Sequence, residues 1–533
     1  MNHKNTKRNI YLPLLLSVFL VGGILIGLQF NNNQTGRSIS IQPKADKLHS
    51  IINYIESEYV DTVSKNELVE AAIPAILKEL DPHSVYIPAR DFNRLNEPLE
   101  GNFDGIGIEF NMPEDTVVVM NTIPGGPSDK VGILPGDRIT RVNDTIIAGV
   151  NMPTEQVIKR LKGPRGSEVN VIVKRNGLSE LLEFEIIRDA IPLYSVDVAM
   201  MINDNTGYIK ITKFSRTTFY EFMEGINKLK DKGLQKLIVD LRANGGGYMD
   251  AATNIADQFL EKGNLIVYTQ GRARPRNEIT ATDKGAFLKG DIIIIIDEWS
   301  ASASEILAGA IQDNDRGTII GRRSFGKALV QEPMLFSDGS AIRLTIARYY
   351  TPTGRCIQKP YNNGSDEYYS DLNERFENGE FAEKDSIHFS DSLKYYTPGG
   401  KPVFGGGGIM PDLFIPIDTS FVTGYFMKIR AKGLIYRFSF DYSDKNRQEL
   451  EKFENCETLI RYLDQISIYE KFIKYAAEND VKENSGDLKI SGDIIKTQLF
   501  AYIARNFFDN EGFYYVYVES DRTLQKAIEF LAE

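Results

Sequence analysis

Histidine and cysteine are scarce in this chain, and each shortage removes a chemistry. Four histidines stand among its 533 residues, His3, His49, His83 and His388, so none falls between residues 205 and 350. A Ser-His-Asp triad needs an imidazole beside its serine, which excludes one from that stretch. The two cysteines, Cys356 and Cys456, are too far apart for a C-x-x-C metal or redox motif and allow one bridge at most. Positive charge is also in deficit, with 62 Lys and Arg against 73 Asp and Glu and a formal charge of -11. A surface of that sign repels a phosphate backbone, so nucleic acid is excluded as a partner.

What is present is globular in kind, 42% hydrophobic and 25% charged. A single hydrophobic core stops growing at roughly 250–300 residues, so several domains are expected. At the N-terminus Lys4, Lys7 and Arg8 precede an uncharged apolar run from Tyr11 to Phe30. Its length, about 20 residues, suits a helix that spans a bilayer. No small-x-small cleavage site follows directly, and the positive-inside rule puts the rest of the chain across the membrane. Residues 1–40 therefore read as a retained signal-anchor and linker, single-pass in an inner (cytoplasmic) membrane, with an extracytoplasmic, periplasmic body.

Residues 41–96 carry apolar residues at helical spacing, and 97–188 read as a β-rich module with one helix in "MPTEQVIKRLKG". Residues 189–415 alternate strands and helices as an α/β core does. "DIIIIID" is apolar on both faces, as a central buried strand must be, and it runs straight into "EWSASASEILAGAIQD". The polar segment 360–400 reads as an exposed insertion or mobile loop, and 416–533 as a mostly helical extension.

With no histidine at hand, the base for a serine is a lysine, and "GRRSFGKALVQ" offers Lys327 among apolar neighbours. An amine takes a proton only when neutral, and burial lowers its pKa toward that state. Gln331 shares a strand face with Lys327 and can orient the amine without charging it. The same window approaches a nucleotide-binding loop, but Ala328 replaces the hydroxyl residue and "ALVQEPMLF" reads as a strand rather than a helix. Ser302 opens a helix, where free amides favour an oxyanion; Ser300, Ser302 and Ser304 also suit plain helix capping, with Glu305 completing a capping box. "DLRANGGGYMD" ends a strand in a glycine turn whose amides can hold an anion. His83, in "DPHS", reads as structural or surface.

Together these windows resemble the C-terminal processing peptidases, or tail-specific proteases, which are PDZ-containing serine peptidases of family S41. The motifs "DPHSVYIP", "GIGIEF", "PGGPSDKVGILPGDRITRVND", "DLRANGGG", "SASASEILAGAIQD", "FGKALVQ", "RLTIARYYTPTGRCIQ" and "GGGGIMPD" stand in the family's order. The resemblance implies a PDZ domain at 97–188 and a crotonase/ClpP-like α/β serine protease core at 189–415. It makes Ser302 the nucleophile, Lys327 the general base, Gln331 its partner, and Ala303 with Gly246, or else Gly245, the oxyanion hole. In the PDZ domain the amides of Gly105, Ile106 and Gly107 would receive a peptide's terminal carboxylate, and the strand from Ile108 would take the peptide by β-augmentation. No cofactor or metal is implied. Substrates are proteins with free C-termini, cut upstream of them, while an adaptor protein and a homodimer stay open. A PDZ scaffold that no longer cuts is the alternative.

Overall fold

The computed structural model describes residue 17 and residues 19–23, 47–112 and 115–533. Most of the apolar run from Tyr11 to Phe30 lies outside these residues. Among the described residues no helix is long and apolar enough to cross a membrane. The chain falls into two units, residues 1–75 and 76–533. The first contains the helix Lys47–Glu58 and most of the helix Lys65–Lys78.

In the second unit the central sheet has six strands, in the order Val196–Met201, Thr206–Ile211, Lys236–Asp240, Ile292–Ile296, Thr318–Gly321 and Leu413–Phe414. The first pair is antiparallel and the others are parallel. Ile292, Ile294 and Ile296 face a core built with the helices Thr218–Asp231, Met249–Asp257 and Ala303–Asp313. Ile293 and Ile295 face the opposite way, toward Leu524, Ala527 and Leu531 of the helix Arg522–Ala532. The alternation of one isoleucine run thus buries both sheet faces, and the layer on the second face comes from the far end of the sequence.

A five-stranded sheet joins Val85–Ile87, Ala341–Tyr350, Leu265–Gln270 and Asn277–Thr280, with Leu329–Leu335 also paired to Ala341–Tyr350. It brings "DPHS" beside "KALVQ". The β-rich module forms its own six-stranded sheet, with the strand Ile108–Asn111 at an edge and the helix Thr154–Leu161 against its core. A ribbon of Asn102–Gly105 with Asp189–Pro192 marks where the chain enters and leaves it.

One sequence expectation is corrected here. The segment 360–400, read as an exposed insertion or mobile loop, is largely exposed but is not a loop throughout, because Ser365–Glu377 is a helix that buries Tyr368, Leu372 and Arg375. Arg375 donates to the carbonyls of Ser324 (3.1 Å) and Arg323 (2.8 Å) and so braces the loop before Lys327. Cys356 and Cys456, for which the sequence set a limit of one bridge, are both free thiols. The extension is helical as expected, with a core of its own that includes Phe426, Leu459, Phe472, Leu499 and Ile503.

Candidate active site

The strand Ile292–Ile296 leads within six residues to Ser302, the N-cap of the helix Ala303–Asp313, held at φ 56° and ψ −112°. A non-glycine residue in such a conformation stores roughly 1–3 kcal/mol and persists only where neighbours hold it. Here the Ser302 N–H donates to Glu305 Oε2 at 2.8 Å, and the Tyr349 hydroxyl donates to the Ser302 carbonyl at 3.1 Å. The three serines divide the work that the sequence left undivided. Ser300 Oγ donates to the Leu241 carbonyl and Ser304 Oγ to the Asn244 carbonyl, both at 2.9 Å, and both residues are fully buried. Ser302 lines the cleft. Ala303 supplies the first N–H of the helix, which has no intrahelical acceptor.

A strand, Leu329–Leu335, follows Lys327, so the helix that a phosphate cradle needs is not there. Lys327 Nζ donates to Gln331 Oε1 at 3.3 Å. Burial pushes the amine down to about 8, the positive Arg343 adds to that, and Glu305 and Asp81 oppose it. Gln331 Nε2 in turn donates to the His83 carbonyl. His83 is therefore a structural residue of the site, held from behind. Asp81 accepts the N–H groups of His83 (2.8 Å) and Ser84 (2.9 Å), and the His83 ring shares a 2.9 Å hydrogen bond with the Tyr368 hydroxyl. Burial, with Lys327 nearby, lowers His83 to about 3, so the ring stays neutral.

Glu305 joins the serine and lysine segments. Its carboxylate accepts the N–H groups of Ser302 (2.8 Å), Gly326 (2.7 Å) and Lys327 (2.8 Å) and the Ser324 hydroxyl (2.5 Å). Burial raises it to about 7 against those four hydrogen bonds. Tyr349 repeats the link, donating to the carbonyls of Ser302 and Lys327 at 3.1 and 2.9 Å. The sequence marked Glu305 only as a capping partner; its link to residues 324–327 depends on the tertiary fold.

The glycine turn packs on the serine. Gly246 has φ +99°, and a Cβ there would meet the Ala301 carbonyl at 2.7 Å and Ser302 Cβ at 2.8 Å. Only glycine fits that approach. Its N–H, expected in the oxyanion hole, donates instead to Asn244 Oδ1 at 2.9 Å. The short Asn side chain, two residues back, closes a local turn onto it. Gly245 lines the cleft with open space around its Cα.

The cleft measures about 1260 Å³ and holds Ser302, Ala303, Lys327, Gln331 and the glycine turn. It runs on to Phe103, Asp104, Lys162 and Gly163 at the mouth of the β-rich module. There, Gly105 pairs with Asp189 in the ribbon and Ile106 is buried in the module's core. The carbonyls of Ile106 and Gly107 accept the N–H groups of Ser128 and Ile123, each at 3.0 Å, and Ile108 begins the edge strand.

Comparison with known proteins finds matches in several segments of the chain. Residues 205–364 match peptidase family S41, residues 105–186 a PDZ domain, and residues 27–90 the N-terminal domain of the activating protease CtpB. A carboxy-terminal-processing protease of Bartonella bacilliformis is 32% identical over 352 residues, 64% of this chain and 80% of its own. The chain belongs to peptidase family S41. Among other S41 relatives, the carboxy-terminal processing proteases CtpB and CtpA of Bacillus subtilis are 33% and 31% identical, covering 61% and 64% of this chain and 68% and 72% of theirs. This S41 protein is a serine-type peptidase of the carboxy-terminal processing kind. Its residues 425–509 match a family of unknown function.

Proposed function

We propose that this peptidase cuts peptide bonds with a Ser302–Lys327 dyad and that its PDZ domain receives the substrate's C-terminal tail. The observation that carries the reading is Lys327: a buried lysine whose amine donates to a neutral amide, Gln331, rather than to a carboxylate. The neutral amine takes the Ser302 Oγ proton as Oγ attacks the scissile carbonyl carbon. The negative charge that develops on the carbonyl oxygen falls beside the Ala303 N–H at the start of the helix. The lysine then returns the proton to the leaving amine, and water, deprotonated by the same amine, cleaves the ester and frees Ser302. Gly246 joins the hole once Asn244 gives up its N–H.

The edge strand Ile108–Asn111 supports peptide binding by β-augmentation, and the cleft's continuation to Lys162 supports one path from tail to dyad. Residues 4–30 support a single-pass anchor with the peptidase on the extracytoplasmic side, which fractionation and protease accessibility of intact cells would check. The deciding experiment is digestion of an unstructured peptide with an apolar C-terminus by the wild type, Ser302→Ala and Lys327→Ala. The dyad requires cleavage by the wild type and a loss of at least about a thousandfold in both variants. Undiminished cleavage by either variant rejects it.

A further inference from the structure

The helix Arg522–Ala532 closes the second face of the catalytic sheet, and its N-cap, Asp521, meets Arg242, which stands just before the glycine turn. Asp521 caps this helix, Oδ1 accepting the Leu524 N–H at 3.1 Å. The same carboxylate takes two N–H groups of Arg242, Nη1 to Oδ1 at 3.0 Å and Nη2 to Oδ2 at 2.7 Å. On its other side Arg242 meets Asp240, with Nε 3.1 and 3.0 Å from the two oxygens. Lys210 Nζ completes the group, 3.1 Å from Asp240 Oδ1 and 2.5 Å from the Arg242 carbonyl. Two cations and two anions balance, and the Asp240 and Asp521 side chains are only 1% and 7% exposed.

Arg242 is the residue from which the turn departs. The next residue, Ala243, sits at φ +56°, a strained conformation that needs support from outside. Asn244 follows, its carbonyl accepting the Ala301 N–H at 3.0 Å, and then Gly246 against Ser302. A guanidinium gripped on both edges cannot rotate, so the backbone leaving it has a fixed direction. Asp297 Oδ1 accepts the Ala243 N–H at 3.0 Å, so with Asp521 removed the turn keeps that hold but loses one of the two carboxylates that fix Arg242 beside it.

We propose that Asp521 is a positioning residue for the peptidase reaction: through Arg242 it sets the glycine turn against Ser302. The helix Arg522–Ala532 is then part of the active site's support, although Asp521 does not line the cleft. This rests on the Ser302 reading above. A misplacement of about 1 Å at a reacting centre lowers rates by roughly a hundredfold, so a small relaxation of the turn is enough to be seen.

The test uses the full chain with Asp521→Asn and Asp521→Ser, both of which keep a good helix cap while removing the charge. Turnover is expressed per active site titrated with a serine-reactive phosphonate, which removes any misfolded fraction from the comparison. The expected result is a kcat at least tenfold lower, a KM within twofold of wild type and faster amide exchange in residues 242–247. Arg242→Lys should show the same loss, and the double variant should be no worse than the poorer single one. A per-site kcat within twofold of wild type, or unchanged exchange in residues 242–247, overturns the proposal. Cleavage that survives Ser302→Ala rejects the dyad instead, and the exchange measurement still decides the role of Asp521.

Discussion

Glu305 and Asp240 are both fully buried, and each anchors one of the two turns that meet at Ser302, yet they sit in opposite electrostatic settings. Glu305 is met by neutral donors only, three backbone N–H groups and a serine hydroxyl. Burial outweighs them and lifts it to about 7. At Asp240 burial also works to raise the pKa, but Arg242 and Lys210 outweigh it and hold the carboxyl well below the usual range. Neutral hydrogen bonds orient a buried carboxylate without fully replacing its water, whereas cations do replace it. The serine–lysine clip is therefore sensitive near neutral pH, and the support of the glycine turn is not.

The comparison breaks most severely at Asp240. Asp240→Ala leaves Arg242 and Lys210 facing a buried void and is expected to destabilise the fold by about 3–5 kcal/mol, read by thermal or urea unfolding. Glu305 gives the next effect, with the opposite pH sign. Its folded pKa of about 7 exceeds the ordinary 4.5, so the native state holds an extra proton between those values. The contribution is complete below about 4.5 and is lost as pH rises through 7, a change of about 3 kcal/mol that Glu305→Gln should abolish in a melting-temperature profile. Asp240 adds nothing to that window, since its stabilisation is lost only in acid.

Catalysis sharpens the same contrast. Because only the neutral amine accepts the Ser302 proton, kcat/KM should rise about tenfold per pH unit below 8 and level off above it. A flat profile from pH 6 to about 9 would remove Lys327 as the base. The smallest effect belongs to the other end of the extension, where Asp444 meets Arg138 (3.2 Å) and Asn176 (3.3 Å) of the PDZ domain. Asp444→Ala should reduce stability by about 1 kcal/mol and leave kcat on a short peptide unchanged.

Much of this was legible in the sequence because it is local. The Ile292–Ile296 run announces a strand buried on both faces, the strand-to-helix junction places Ser302, and Pro333 with Ala328 argues against a phosphate loop after Lys327. Other features rest on partners far along the chain. Ser300 and Ser304 are set apart from Ser302 by the carbonyls of Leu241 and Asn244, and Gln331 is oriented by His83, 248 residues away. The helix Ser365–Glu377 did leave a signal, Tyr368, Leu372 and Arg375 at intervals of four and three, which the polar composition around it obscured.

The layering of the central sheet also sets an order in time. While the chain is being made, Ile293, Ile295 and Ile320 lack the cover of Leu524, Ala527 and Leu531 until Arg522–Ala532 has emerged. Domains fold as units during synthesis, and this one must wait for a distant segment. Until then the glycine turn lacks Asp521 as well, so a nascent chain that already carries Ser302 and Lys327 has no finished site around them.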